Sequence, residues 1–335
     1  MGFLIKDKAF YKTFISISVA LALQQLLNYS VNLADNAMLG SYSEVSMSGS
    51  AIVSQIHYIL QLLINGIGTG IVMIGSRYWG MKKPEQIRHF ISMGWKIAVA
   101  LGALFTIATI AFPDTILSFF SNDAKVLEQG RQYLRIMCWT FLIFPVSYCL
   151  MWGLRSVETT FIGPVLSAVS LIMNICLNYI LIFGKLGAPE MGIRGAALAT
   201  LASRIVEVVI MLSYVFLGDK KLRIKAKDLL RFDFTDIKLY LKATLPVTGT
   251  LLTFALGVSA QTAILGHFST AALAANSIMG IVWQITGVVG MTCGSASAII
   301  IGKAVGEGRE DMINSYSKTL QLLYVFIGII SAGVL

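Results

Sequence analysis

This sequence predicts an all-α polytopic membrane protein, on three observations. Hydrophobic residues fill 56% of the 335 positions and charged residues only 13%, about half the charged share of a soluble domain. The apolar residues gather in runs long enough to cross a bilayer, separated by polar turns. Segments 226 residues apart resemble each other, so the spans form copies of one unit. With a mean hydropathy of +0.76, lipid is the consistent solvent for most of the chain. Disorder, coiled coil, a disulfide-stapled secreted domain and a nucleic-acid-binding module are excluded.

A bilayer core takes roughly 20 apolar residues per helix. Nine spans are expected on that rule, at 14–39, 51–75, 94–112, 133–152, 162–183, 195–217, 243–265, 277–301 and 319–335. Met1–Lys12 is basic, but a run of spanning length follows it instead of a short signal-peptide core. The second span carries Gly66-Ile67-Gly68-Thr69-Gly70. No strand precedes those glycines, so they predict close helix packing and not a phosphate loop. Pro145 and Pro246 mark expected kinks in the fourth and seventh spans. The four cysteines (Cys138, Cys149, Cys176, Cys293) read as small buried hydrophobes. A charge-dense link at 218–241 divides an N-lobe of six spans (1–217) from the start of a C-lobe (242–335).

The net charge of +9 has a topological reading. With the N-terminus in the cytoplasm, 20 of the 26 Lys and Arg fall on the cytoplasmic side, five fall outside, and Arg204 lies within a span. That asymmetry is the positive-inside rule. It orients a multi-pass protein with its N-terminus in the cytoplasm, and the expected location is the bacterial cytoplasmic membrane.

The 226-residue shift aligns Ala37–Ile87 with Ala263–Ile313 without a gap, giving ten identities in 51 positions, among them Gly40/Gly266, Gly68/Gly294 and Gly80/Gly306. The seventh span then repeats the first, the eighth the second and the ninth the third. A unit of six spans is even-numbered, so both copies share one orientation, a common transporter plan. The second copy is incomplete, and a fragment of a twelve-helix protein, cut after its ninth helix, is expected.

Ionisable residues inside spans cost roughly 2.5–3.5 kcal/mol on insertion scales. Only Asp35, Glu207 and Arg204 incur that cost centrally. Gln24, Asn28, Asn32 and Asp35 follow at steps of four, four and three, which places them on one face of the first span. Ser167, Ser170, Asn174 and Asn178 form a second stripe on the fifth, and Thr200 sits one turn into the sixth. Counted from the ends of their spans, Asp35, Asn178 and Thr200 share one depth. If the three spans are neighbours, a carboxylate, two amide oxygens and a hydroxyl converge. Such a set suits Na⁺, with Asp35, Asn174 and Asn178 as ligands, or a proton on Asp35. It is equally the composition of a polar seam that glues helices. Arg204 and Glu207, spaced i, i+3, neutralise each other. Gln24, Asn28, Asn32, Arg204, Glu207, Gln261 and Gln284 are candidates to line a central cavity. The three histidines are scattered, and no HExxH, GxSxG or Walker motif is present. The sequence therefore reads as a carrier driven by an ion gradient, not an enzyme, with no cofactor.

Three segments carry a resemblance. Leu33-Ala34-Asp35-Asn36-Ala37-Met38-Leu39-Gly40, Asn174-Ile175-Cys176-Leu177-Asn178-Tyr179-Ile180-Leu181-Ile182-Phe183-Gly184 and Gly192-Ile193-Arg194-Gly195-Ala196-Ala197-Leu198-Ala199-Thr200 resemble the first, fifth and sixth helix motifs of the multidrug and toxic compound extrusion (MATE) transporters. The resemblance implies two six-helix lobes around a cavity and export of bulky, often cationic, organic compounds in exchange for Na⁺ or H⁺. It also implies a coupling site at Asp35, Asn174, Asn178 and Thr200, with the bilayer and small organic substrates as partners and a monomer as the working form. The alternatives are a flippase or exporter of lipid-linked or polysaccharide precursors from the same superfamily, and a non-transporting membrane module.

Overall fold

The computed structural model describes residue 5 and residues 7–268 and 270–334, with chiefly backbone between 262 and 285. Eleven α-helices and one π-helical turn account for nearly all of this. Nine helices are long. In chain order they are α1 (Lys8–Tyr42), α2 (Glu44–Gly80), α3 (Pro84–Ala111), α5 (Ala124–Ser156), α6 (Ile162–Phe183), α7 (Ile193–Ser213), α9 (Ile237–Phe268), α10 (Thr270–Gly306) and α11 (Glu310–Val334). Short helices α4 (Pro113–Ser118) and α8 (Ala226–Leu230) sit in the links. Over their described residues, eight of the nine are long and apolar enough to cross a membrane. The ninth, α11, carries the span expected at 319–335, part of which lies outside the described residues.

Local chemistry sets the helix ends. Asp7 accepts from the Ala9 amide at 2.8 Å to start α1, and Asp123 accepts from the Lys125 amide at 2.8 Å to start α5. Between α1 and α2 only Ser43 leaves the helix. Its extended backbone ends one rod, and its hydroxyl accepts from the Ser46 amide to begin the next. Pro84 and Pro113 occupy first-turn positions, where no amide hydrogen is needed. Gly184 ends α6 at φ 63°, a conformation that favours glycine. A helix of 35 residues such as α1 is about 50 Å long, so it overruns the hydrocarbon core.

The first six long helices share one core. In it α5 packs along α2, α3 and α7, and α1 and α7 both pack on α6. Phe90, Phe141, Phe144, Leu150 and Leu154 are fully or almost fully buried there. Pro145 lies inside α5, and Gly102 of α3 packs beside it and the Phe141 carbonyl. Cys176 corrects one expectation: it is exposed, while the other three cysteines are buried. It lies on the side of α6 away from the Asn174 stripe, a position suited to lipid.

The contacts between repeats follow the duplication. If α9 replaces α1 and α10 replaces α2, the contact of α1 with α10 becomes that of α2 with α9, and both are present. The contact of α2 with α10 maps onto itself. A methyl group on Gly80 would meet the Lys303 carbonyl and Gly306; one on Gly306 would meet the Arg77 carbonyl and Gly80. Gly302 packs against Ser76. Gly80/Gly306, Arg77/Lys303 and Ser76/Gly302 are all partners under the 226-residue shift. A local two-fold axis therefore passes between α2 and α10, where glycine lets the backbones touch. Lys303 also reaches Glu158, just past α5, at 2.9 and 3.0 Å. This is the basic end of the bundle.

The 218–236 link is docked, not free. The Asp219 carboxylate accepts from the amides of Lys221, Leu222 and Arg223. The Lys221 ammonium donates to the Val157 carbonyl at 2.6 Å. Burial pushes the pKa of Lys221 down, opposed by the negative charge of Glu158. Lys96 donates to the Arg231 carbonyl, and Ser92 to that of Leu229 at 3.4 Å, fixing the link on α3. The Tyr240 hydroxyl then ties α9 to α2 by donating to the Ile67 carbonyl at 2.7 Å.

Candidate functional site

The polar stripe of α1 meets that of α6 along their shared face. At the end away from the basic residues, the Asn178 amide group donates to the Asp35 carboxylate at 2.5 Å and to the Asn174 side-chain oxygen at 3.1 Å. Asn174 in turn donates to the Thr200 hydroxyl of α7 at 3.4 Å. Asp35, Asn178 and Thr200, which share one depth, thus form one chain of contacts with Asn174 across three helices. Asn174 and Asn178 are 1% and 0% exposed, so the chain lies mostly inside protein, with Asp35 half-buried at its edge.

One atom there lacks a partner. The side-chain oxygen of Asn178 is buried and accepts no hydrogen bond among the described residues. Leaving a buried acceptor unsatisfied costs about 1–3 kcal/mol. A cation beside Asp35 would satisfy it by coordination. A proton on Asp35 would do so after an amide flip, the carboxylic acid then donating to the asparagine oxygen. The donor set also bears on charge: one carboxylate among neutral oxygens matches a monovalent ion. No cluster of three or more His, Cys, Asp or Glu that could hold a metal is present among the described residues.

Tyr133 of α5 is buried and faces both Asp35 and Thr200. Sequence reasoning missed it because an isolated tyrosine in an apolar run carries no signal of which neighbour it meets. Nearby, Arg204 pairs with Glu207 at 2.7 Å. Glu207 also accepts from Ser147 at 3.3 Å, and the guanidinium lies 5.5 Å from the Phe144 ring centre. That pair is the one expected from i, i+3 spacing. His57 is wedged against Phe141 and Phe144, with ring centroids 6.0 and 5.0 Å away.

The proposed cavity-lining residues fall in different places. Gln24 is buried, with its amide on Arg155 and Met151. Asn28 accepts from Ser167 at 2.9 Å, as a helix-joining seam would require. Asn32 is exposed. Gln261 is exposed and engaged in a contact, and the side chain of Gln284 lies outside the described residues. Gly66, Gly68 and Gly70 pack against Thr248, Trp152 and Thr244, the close approach that their spacing predicts.

Against known proteins, residues 20–180 and 246–335 match the family model MatE. The chain belongs to the MatE family. It is 27% identical over 329 residues to the "Probable multidrug resistance protein NorM" of Listeria monocytogenes serotype 4b (strain F2365), covering 97% of this chain and 72% of that protein. It is 26% identical over 330 residues to the protein of the same description from Pasteurella multocida (strain Pm70), covering 96% and 69%. Among solved structures it superposes on a MATE in complex with MaL6 with a TM-score of 0.87 at 18% identity, covering 96% of this chain and 71% of that one. On a multidrug resistance MATE family transporter described in an outward-facing conformation, the TM-score is 0.84 at 18% identity, with 96% and 71% covered. MatE membership makes this a multi-span membrane protein of a transporter family. The fold matched is that of the two-repeat carriers that the internal duplication predicts.

Proposed function

We propose that this MatE chain exports organic compounds, cationic ones among them, in exchange for Na⁺ or H⁺, with Asp35, Asn174, Asn178 and Thr200 holding the coupling cation. The observation that carries the reading is the pairing of Asp35, the only acid within the apolar part of α1, with Asn178, whose buried oxygen lacks a partner. Such a site changes its charge when it gains or loses one cation. An ion bound there and an organic compound bound between the repeats then favour different states of the carrier, and that difference is the coupling. The relatives' description as multidrug resistance proteins supports small organic substrates.

We further propose that residues 1–217 and 242–335 act as lobes joined by the docked link, with the basic end in the cytoplasm. The Gly80–Gly306 contact and the Glu158–Lys303 pair close the passage at that end, which corresponds to an outward-facing arrangement. The test is dye efflux driven by an imposed Na⁺ or H⁺ gradient in cells or proteoliposomes. Asp35→Asn, expressed and folded, loses gradient-driven efflux by about tenfold or more, one tenfold step being 1.4 kcal/mol of lost coupling. Efflux at the unmodified rate in that variant would sink the assignment of the ion site.

A further inference from the structure

Three cations are held against the helical core or the seam between the repeats: Arg204, Lys303 and Arg155. Two have acids. Arg204 sits on Glu207 at 2.7 Å and Lys303 on Glu158 at 2.9 Å. Arg155, near the basic end of α5, has none within 4.0 Å among the described residues. Its acceptors are neutral: the Gln24 side-chain oxygen at 2.7 Å and the Met151 sulfur at 4.0 Å, both engaging Nη2. The guanidinium does not run out to the membrane surface. It turns back along its own helix to Met151 and across to Gln24 in the middle of α1. An unpaired cation in such a place is costly and calls for a partner.

The surroundings are those of a binding surface. Trp152 lies face-on to the guanidinium, whose central carbon is 4.5 Å from the ring. That ring packs between Gly68 of α2 and a cluster from α1 and α10 that includes Phe14, Ile17, Leu21, Cys293 and Ala296. Arg155 therefore stands at the junction of the two repeats. Its Nε and Nη1 make no hydrogen bond to a described atom, and neither is among the fully buried unsatisfied atoms, so each keeps some exposed surface. The indole Nε1 of Trp152 is buried and has no acceptor among the described residues. With Nη2 held by Gln24, each remaining donor can give a single charge-assisted hydrogen bond to an anionic oxygen beside the aromatic ring.

We propose that Arg155, backed by Trp152 and oriented by Gln24, docks the anionic group of a transported organic compound at the basic end of the seam between repeats. The substrate class is an aromatic or apolar body carrying a carboxylate, sulfonate or phosphate. A second, basic group on the same molecule makes it zwitterionic, in keeping with cationic substrates. This deepens the antiport reading and rests on it for the claim that the bound compound is cargo.

The test is equilibrium binding of two dyes to the purified chain in detergent, without any gradient. Carboxyfluorescein supplies the carboxylates, and rhodamine 6G is a related cation whose carboxyl is esterified. Arg155→Gln weakens carboxyfluorescein about tenfold, as loss of a charge-assisted hydrogen bond predicts. Arg155→Lys keeps the charge but loses the planar face stacked on Trp152, so it recovers only part of the affinity. Rhodamine 6G changes by less than about twofold in both variants. Equal loss for both dyes makes Arg155 a structural brace and overturns the proposal, as does no loss for either. If the glutamine variant does not fold, the unmodified chain decides. There 1-naphthoate displaces carboxyfluorescein at about a tenth of the concentration that 1-naphthamide needs, and equal displacement overturns the proposal. Failure of the coupling reading shows in gradient-driven efflux; failure of this one shows in binding.

Discussion

The two repeats begin alike and differ at matched positions. Gly68 is met by the Trp152 ring, while its counterpart Gly294 has no described atom within 4 Å of a built methyl group. Asp35, bonded to Asn178, has Gln261 as its counterpart, so the acid of the polar cluster belongs to the first repeat alone. The cluster around that acid is completed by α6 and α7, which supply Asn174, Asn178 and Thr200. A duplicated frame thus carries an acid in one copy and an amide at the matching position of the other.

Four experiments test this contrast, in descending size of effect. Replacing Asn178 with Leu leaves Asp35 without its amide donor; stabilisation of the purified chain by Na⁺ or by acid, read as a shift in unfolding midpoint, should disappear. Gln261→Leu, the matching change in the second repeat, should leave that shift in place. A retained shift in Asn178→Leu breaks the claim that the cluster holds the cation.

The second experiment exchanges glycines. Gly68→Leu forces a side chain into Trp152 and should cost about 1–3 kcal/mol, the usual penalty of overpacking, visible as a lower thermal midpoint. Gly294→Leu should cost less than about 0.5 kcal/mol in this chain, since no described atom lies within 4 Å of a side-chain carbon placed there. Equal losses would mean that the two glycines are packed alike.

The third concerns the closed end. Glu158 and Lys303 are 19% and 34% exposed, so solvent screens their pair and Glu158→Gln should cost only about 0.5–1 kcal/mol. Its signature is conformational: a cysteine placed at Ser76 should react faster with a membrane-impermeant thiol reagent applied from the basic end. An unchanged rate would assign closure to the glycine contact alone.

The smallest effect lies in the link. Hydrogen bonds from the Thr235 hydroxyl, at 2.6 Å, and its amide, at 3.2 Å, hold the Asp233 carboxyl below its usual pKa, helped by His89 and Arg231. A depressed acid contributes stability above its unfolded pKa of about 4 and loses it as pH falls through the folded value. Hydrogen exchange of residues 231–236, corrected for intrinsic rate, should therefore stay constant from pH 7 to 5 and speed up only below about pH 4. Loosening already between pH 7 and 6 would show that the Asp233 carboxylate is not what holds this segment.

Much of the polar cluster proposed as the site is legible in the sequence because helical periodicity is strict. Steps of three and four put Asn28 and Asp35 on one side of α1, and the same rule put Ser167, Asn174 and Asn178 on one side of α6. Counting rise per residue matched their depths. Such counting cannot show which apolar surface a side chain leans on. Tyr133 therefore went unnoticed, Cys176 was placed inside when it is exposed, and Arg155 was counted only as a topological charge. Gln24 and Asn32 share a stripe by periodicity, yet one is buried against α5 and the other is exposed. A stripe defines a helix face and not its neighbour.

By itself the sequence determined the solvent, the spans, the duplication and the one acid of the first span, since each is fixed by composition or by the period of a single helix. Only the tertiary structure decided that, among the described residues, the Asn178 oxygen has no partner and Arg155 has no acid, and that glycines from both repeats meet on a two-fold axis. Those are properties of pairs of helices, set by how side chains from distant parts of the chain fill the space between them.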